Sequence, residues 1–162
     1  LCLFWILGYF NYRIFCLMIN EFTQYEDLKD LLFGQFLGSG IHRKVGVFLP
    51  DTSLVIKCAL ETPNINILED EIWMMVKDTN IAKWFAPCIS ISPCGMFLLQ
   101  KRVETRPRNE YPKEIPSFFG DCKYSNFGWL DGKFVCCDYS GFICSSMVHK
   151  WSERMVKSIW WE

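Results

Sequence analysis

Asp121, Lys123 and Asn126, followed by Asp138, are the residues whose types and spacing could do chemistry. The first three sit in Asp121-Cys122-Lys123-Tyr124-Ser125-Asn126, the pattern D-x-K-x-x-N. Trp129-Leu130, Asp131-Gly132 and Lys133 to Cys137 then read as a hairpin, because Asp-Gly favours the two-residue turn with positive φ at both positions. That hairpin delivers Asp138-Tyr139-Ser140-Gly141 back towards Asn126. An Asp can orient an attacking hydroxyl and accept its proton. A Lys two residues on can neutralise a phosphoryl group in transfer. An Asn and a second Asp, brought together by the hairpin, can hold Mg²⁺. Each residue alone is a common solvated side chain; the order, the spacing and the intervening hairpin carry the signal.

Upstream, Gly38-Ser39-Gly40-Ile41-His42-Arg43-Lys44-Val45 leads into a strand. Two glycines let backbone amides approach a phosphate with no Cβ in the way. A loop that turns back into a strand differs from Walker and Rossmann loops, which open a helix, and no Gly-Lys-Ser/Thr is present. Gly-x-Gly alone is most often a plain turn. Its weight comes from the following strand, Leu54-Val55-Ile56-Lys57, whose lysine can reach phosphates held beneath the loop, although a lysine ending a strand in solvent is common. Residues 65–77 place Ile65, Leu68, Ile72, Met75 and Val76 on one helical face. Glu69 lies about 60° from the centre of that face and Glu71 about 100° away on the other flank. Glu69 is therefore the expected partner of Lys57.

The remaining elements follow from periodicity and turn residues. Residues 20–33 predict a short amphipathic helix and 34–40 a glycine-rich break. Val45 to Leu49 and Leu54 to Ala59 predict two strands. Ile89 to Ser92 and Met96 to Arg102 predict a hairpin around Pro93-Cys94-Gly95. Residues 103–117, with Pro107, Pro112 and Pro116, predict a linker or loop. Residues 145–161 carry Met147, Trp151, Met155 and Ile159 at helical spacing, which predicts a C-terminal amphipathic helix packed beneath the Asp121–Gly141 hairpin. Strands in the middle with helices around them make the class α+β.

Seventeen Lys and Arg against eighteen Asp and Glu give a net charge of −1, which excludes a strongly basic nucleic-acid binder. With 51% hydrophobic residues the chain is too apolar to be disordered. Nine cysteines without a CxxC, and His42 and His149 far from Cys88 and Cys94, give no zinc pattern. They are expected to be reduced thiols acting as small hydrophobes in a cytoplasmic protein. Residues 1–17 are apolar but broken by Asn11 and Arg13. They read as a fragment end or as upstream sequence translated in error, with a hydrophobic anchor as the alternative. A membrane is not an expected partner.

Together these motifs resemble the protein-kinase-like fold, and more narrowly the small kinase-like proteins encoded by tailed bacteriophages. The matching positions are Gly38, Gly40 and Val45, then Lys57, then Asp121, Lys123 and Asn126, then Asp138; the likeness covers roughly residues 34–141. Arg43 stands where the third loop glycine would be, Phe119-Gly120 precedes Asp121 in place of His-Arg, and no APE motif occurs. The resemblance implies an N-lobe antiparallel sheet with one main helix, a catalytic-loop hairpin and a strongly truncated C-lobe. On it, residues 18–144 are a minimal kinase-like domain and 145–162 its terminal helix. It implies ATP at Gly38, Ser39, Gly40, Val45, Lys57 and Glu69, Mg²⁺ at Asn126 and Asp138, and catalysis by Asp121, Lys123 and Lys57. Two functions are expected from it: a minimal ATP- and Mg²⁺-dependent phosphotransferase, or a pseudokinase-like module that engages a host or viral protein, a role to which the exposed aromatics of a tryptophan-rich tail are suited.

Overall fold

The computed structural model describes residues 31–141 and 153–161. It is a mixed α+β arrangement built on a five-stranded antiparallel sheet. The strands are β1 (Phe33–Ser39), β2 (Arg43–Phe48), β3 (Leu54–Ala59), β4 (Cys88–Ile91) and β5 (Phe97–Lys101), in the spatial order β1-β2-β3-β5-β4. The helix α1 (Asn64–Val76) connects β3 to β4 through a 3-10 turn at Asn80–Trp84. All six residues of β3 are buried. A central strand flanked on both sides and covered by a helix is expected to read as a continuous apolar run, and Leu54-Val55-Ile56 does so until Lys57 interrupts it.

The helix forms where periodicity predicts it, but its buried stripe is rotated. Asn66, Glu69, Ile72 and Val76 face inward, whereas Leu68 and Met75 are exposed. Glu69 takes the inward position expected of it and Asn66 joins it there, because the sheet beneath presents charges and open carbonyls. Asn66 Nδ2 lies within hydrogen-bond reach of the carbonyls of Lys57 (3.2 Å), Gly95 (3.0 Å) and Met96 (3.1 Å), tying α1 to β3 and to the β4–β5 turn. Gly95 has a φ of +71°, and a Cβ there would collide with Pro63 and Ile67 of α1, so this turn requires glycine.

The chain continues through β6 (Glu114–Pro116) to the hairpin β7 (Phe127–Leu130) and β8 (Lys133–Cys136). Asp131 (φ 51°) and Gly132 (φ 75°) both take the left-handed region, the turn that the Asp-Gly dipeptide predicts. A core of Ile72, Val76, Phe85, Leu98, Ile115, Phe119, Phe127 and Tyr139 joins α1 to this hairpin.

Three expectations are corrected. The glycine-rich break at 34–40 is mostly strand: β1 pairs with β2 through two register shifts, which let its glycines enter a ladder without regular geometry. The linker at 103–117 contains β6. The C-terminal helix is not formed over residues 153–161: Met155–Lys157 is a strand, β9, paired antiparallel with β6. Pairing satisfies the backbone groups of β6, which would otherwise form an unpaired edge. Met155 and Ile159 of the expected stripe are exposed, while Met147 and Trp151 fall outside the described residues, as do 1–30. Among the described residues no helix is long and apolar enough to cross a membrane.

Candidate functional site

Lys57 is only 3% exposed, in the middle of the sheet's central strand. A lysine there needs a buried carboxylate, since an unpaired charge in the interior would shed its proton or destabilise the fold. Glu69, fully buried on α1, supplies it through an ion pair with Lys57 Nζ. Glu71 is exposed, so the helical-wheel choice between the two glutamates holds. Gln100 Nε2 on β5 donates to Glu69 Oε1 at 2.8 Å. Because the carboxylate only accepts, it fixes the orientation of the amide and leaves Gln100 Oε1 buried without a partner.

The second oxygen of Glu69 meets a residue the motif reading did not include. Arg43 Nη2 lies 2.5 Å from Glu69 Oε2, as an ion pair rather than an aligned hydrogen bond. The same nitrogen is 2.6 Å from Asp138 Oδ1, and Arg43 Nη1 is 3.4 Å from Asn66 Oδ1. Burial alone would lower the pKa of Arg43, but Glu69 and Asp138 outweigh it and hold the guanidinium above its ordinary value. The period-two rule could have found this residue. Val45 pairs with Lys57 in the β2–β3 register, and Arg43, two residues back, shares their face. The expected strand began at Val45, which left Arg43 in the loop.

Asp138 and Asn126 come together through the backbone. The Asn126 carbonyl accepts from the amides of Cys137 (2.8 Å) and Asp138 (3.2 Å). Asn126 Nδ2 donates to Asp121 Oδ2 at 2.9 Å, so its Oδ1, the atom a cation would use, points away from that bond. Asp121 Oδ1 is buried and has no hydrogen-bond partner. Lys57 Nζ also donates to the Cys137 carbonyl at 2.5 Å, which links the sheet to the hairpin beside Asp138. Burial would raise the pKa of Asp138, but Arg43 and Lys57 prevail and hold it below the ordinary carboxylate range. Lys57, Glu69, Arg43, Asp138, Asn126 and Asp121 therefore form one connected network.

Lys123 does not join it. Its ammonium lies 5.7 Å from the centroid of the Trp161 ring, and among the described residues it makes no ion pair. Gly38 and Ser39 end β1, paired with Val45 and Lys44, and Gly40 opens the turn into β2, where its N–H donates to the Arg43 carbonyl at 2.9 Å and its carbonyl accepts from Ser39 Oγ at 3.3 Å. A Cβ at Gly38 or Gly40 would meet nothing within 4 Å, so the fold itself does not require glycine at either place. Val45 is half-buried in β2, opposite Lys57.

A divalent cation fits this chemistry in one form only. No group of three or more His, Cys, Asp and Glu is assembled among the described residues. Asn126 and Asp138 offer two oxygen ligands, which suits Mg²⁺, an ion that keeps several waters and takes one or two protein groups beside phosphate. The thiols nearby are poor nucleophiles, since burial pushes Cys88 and Cys137 up to about 12. No family model, curated protein or solved structure matches this chain.

Proposed function

We propose that this protein is a minimal, protein-kinase-like phosphotransferase that uses ATP and Mg²⁺. The observation that carries the reading is the Lys57–Glu69 ion pair, buried between the central strand and α1. A lysine held by a helix glutamate in this way is pre-oriented to meet nucleotide phosphates. Three further features support it. A five-stranded antiparallel sheet with one main helix among the described residues agrees with what the resemblance implies for an N-lobe. A side chain at position 38 or 40 would meet no neighbour within 4 Å, so packing does not explain the two glycines. Asp121 keeps an unpartnered buried oxygen while Asn126 orients the other.

In this reading Mg²⁺, when bound at Asn126 and Asp138, neutralises phosphate charge. The chain's own residues do the rest. Lys57 binds phosphate oxygens and Glu69 keeps its ammonium in place. Asp121 accepts the proton of the attacking hydroxyl at Oδ1. Lys123 has no place in this mechanism while it rests on Trp161.

Calorimetric titration with ATP, with and without millimolar Mg²⁺, tests the reading. Saturable binding that needs Mg²⁺ is the expected result, and its absence would defeat the proposal. Asp121→Asn should keep that binding and lower phosphoryl transfer by about 10²–10⁴-fold, the contribution of a positioned general base. A second reading, a binding module without catalysis, draws on the exposed Ile67, Leu68, Met74 and Met75 along the outer side of α1. Under it neither the native protein nor Asp121→Asn transfers a phosphoryl group.

A further inference from the structure

The proposed site already contains a cation where the metal would go. Arg43 is 5% exposed, and its Nη2 lies 2.6 Å from Oδ1 of Asp138, the same oxygen that accepts from Ser140 Oγ at 3.3 Å. Two cations, Arg43 and Lys57, face two carboxylates, Glu69 and Asp138, so this part of the network is neutral without metal. Asp121 stands one step further, across the Asn126 side chain.

We propose that Arg43 is a positioning residue that holds Asp138 in an ion pair and thereby suppresses divalent-cation binding by the protein alone. The inference rests on Asp138 being the metal ligand of the proposed phosphotransferase site. A metal approaching Asp138 must take an oxygen from the guanidinium, or sit beside a fixed positive charge in a poorly screened environment. Phosphates entering with the metal remove that penalty, since they bring negative charge for both cations. The site therefore loads metal and nucleotide as a unit. Arginine suits the role because its rigid planar head meets Glu69 and Asp138 through Nη2 while Nη1 lies within reach of Asn66 Oδ1, a fixed geometry that a flexible lysine ammonium does not hold.

The test needs no nucleotide, so its failure is distinct from failure of the ATP reading. Mn²⁺ is titrated into the full chain and followed by electron paramagnetic resonance. The native protein should show no saturable binding below the millimolar range. Arg43→Gln, which removes the charge and keeps an amide donor, should bind Mn²⁺ at least tenfold more tightly. The gain should vanish when Asp138→Asn is added. Arg43→Lys keeps the charge without the fork and should give a smaller gain in the same direction; it replaces the Gln variant if a melting curve shows that variant unfolded. Tight Mn²⁺ binding by the native protein, or no gain in either folded Arg43 variant, overturns the proposal. Absence of ATP binding by the native protein in Mg²⁺ would instead strike at the phosphotransferase reading.

Discussion

Around Lys57 the molecule buries full charges, and around Trp160 it packs aromatic rings, of which Trp160 and Tyr111 each use a polar handle. The first region rests on a continuous sheet and a helix of thirteen residues. The second is made of short strands and turns, where Tyr111, Phe127 and Phe134 pack on Trp160 with ring centroids 5.2, 5.2 and 5.8 Å away. Trp160 Nε1 donates to the Pro112 carbonyl at 2.8 Å, and Tyr111 Oη to the carbonyls of Tyr124 and Phe127 at 3.2 and 3.3 Å. Rings that interlock edge to face tolerate irregular backbone, because their contacts do not depend on a ladder. Opposed charges need the rigid frame: a small displacement would leave a buried ion unpaired.

The contrast predicts where a single substitution does most harm. Glu69→Gln removes the carboxylate that serves both Lys57 and Arg43 and leaves two buried cations competing for what remains. Breaking a buried pair in this way costs about 3–5 kcal/mol, so the variant should lose most of its stability in urea unfolding. Glu71→Gln, on the exposed flank, should stay within about 0.5 kcal/mol of the native protein. Equal effects of the two would mean that the pair does not organise the sheet side.

Elements set by neighbouring residues were the part most legible in the sequence, on both sides. The bounds of β3, the extent of α1, the Asp-Gly turn and the Lys57–Glu69 pair all follow from local patterns: period two, period 3.6 and turn chemistry. Non-local pairing was not legible. β1 was hidden because its glycines suggest a break, and only the partner strand β2 makes it a strand. The helical spacing of Met155 and Ile159 is present in the sequence, yet pairing of Met155–Lys157 with Glu114–Pro116 overrides it. Arg43 was missed through a boundary two residues late. Lys123 matched by position in the motif, but its contact with Trp161 depends on a segment 38 residues away, and no local pattern announces that contact.

On the aromatic side the loss should be smaller and should follow the rings. Trp160 is half-buried among four aromatic neighbours, whereas Ile159 beside it is 78% exposed. Trp160→Ala should cost about 3 kcal/mol, the lower end for removing a large aromatic from a core. Ile159→Ala should change the urea midpoint within error. If Ile159→Ala costs as much as Trp160→Ala, the segment is helical in solution and the β6–β9 pairing is wrong.

Acid separates the two regions with the smallest effect. The Asp138 carboxyl is held below its ordinary value of 3.8 because Arg43 and Lys57 outweigh its burial. A group with a lowered pKa binds protons less readily in the folded protein than in the unfolded chain. It therefore contributes stability above 3.8 that is lost as pH falls through the folded value. The side chain of Asp138 is 45% exposed, so solvent screens the pair and the loss is modest. Asp51 and Glu153 are lowered too and titrate in the same range, which makes the native curve alone ambiguous. The difference in Tm between the native protein and Asp138→Asn isolates the one group. That difference should be constant from pH 7 to pH 5 and should shrink below about pH 4, where the unfolded chain takes up a proton that the folded Asp138 still refuses. The aromatic side contributes to the opposite limb. Burial pushes Tyr111 up, so the stability it lends is present below the ordinary tyrosine value of 10.0 and is lost as pH rises past it. A native-minus-variant difference that persists unchanged at pH 3 would mean that Arg43 does not hold Asp138 in solution. The sheet side would then keep its balance through Glu69 alone.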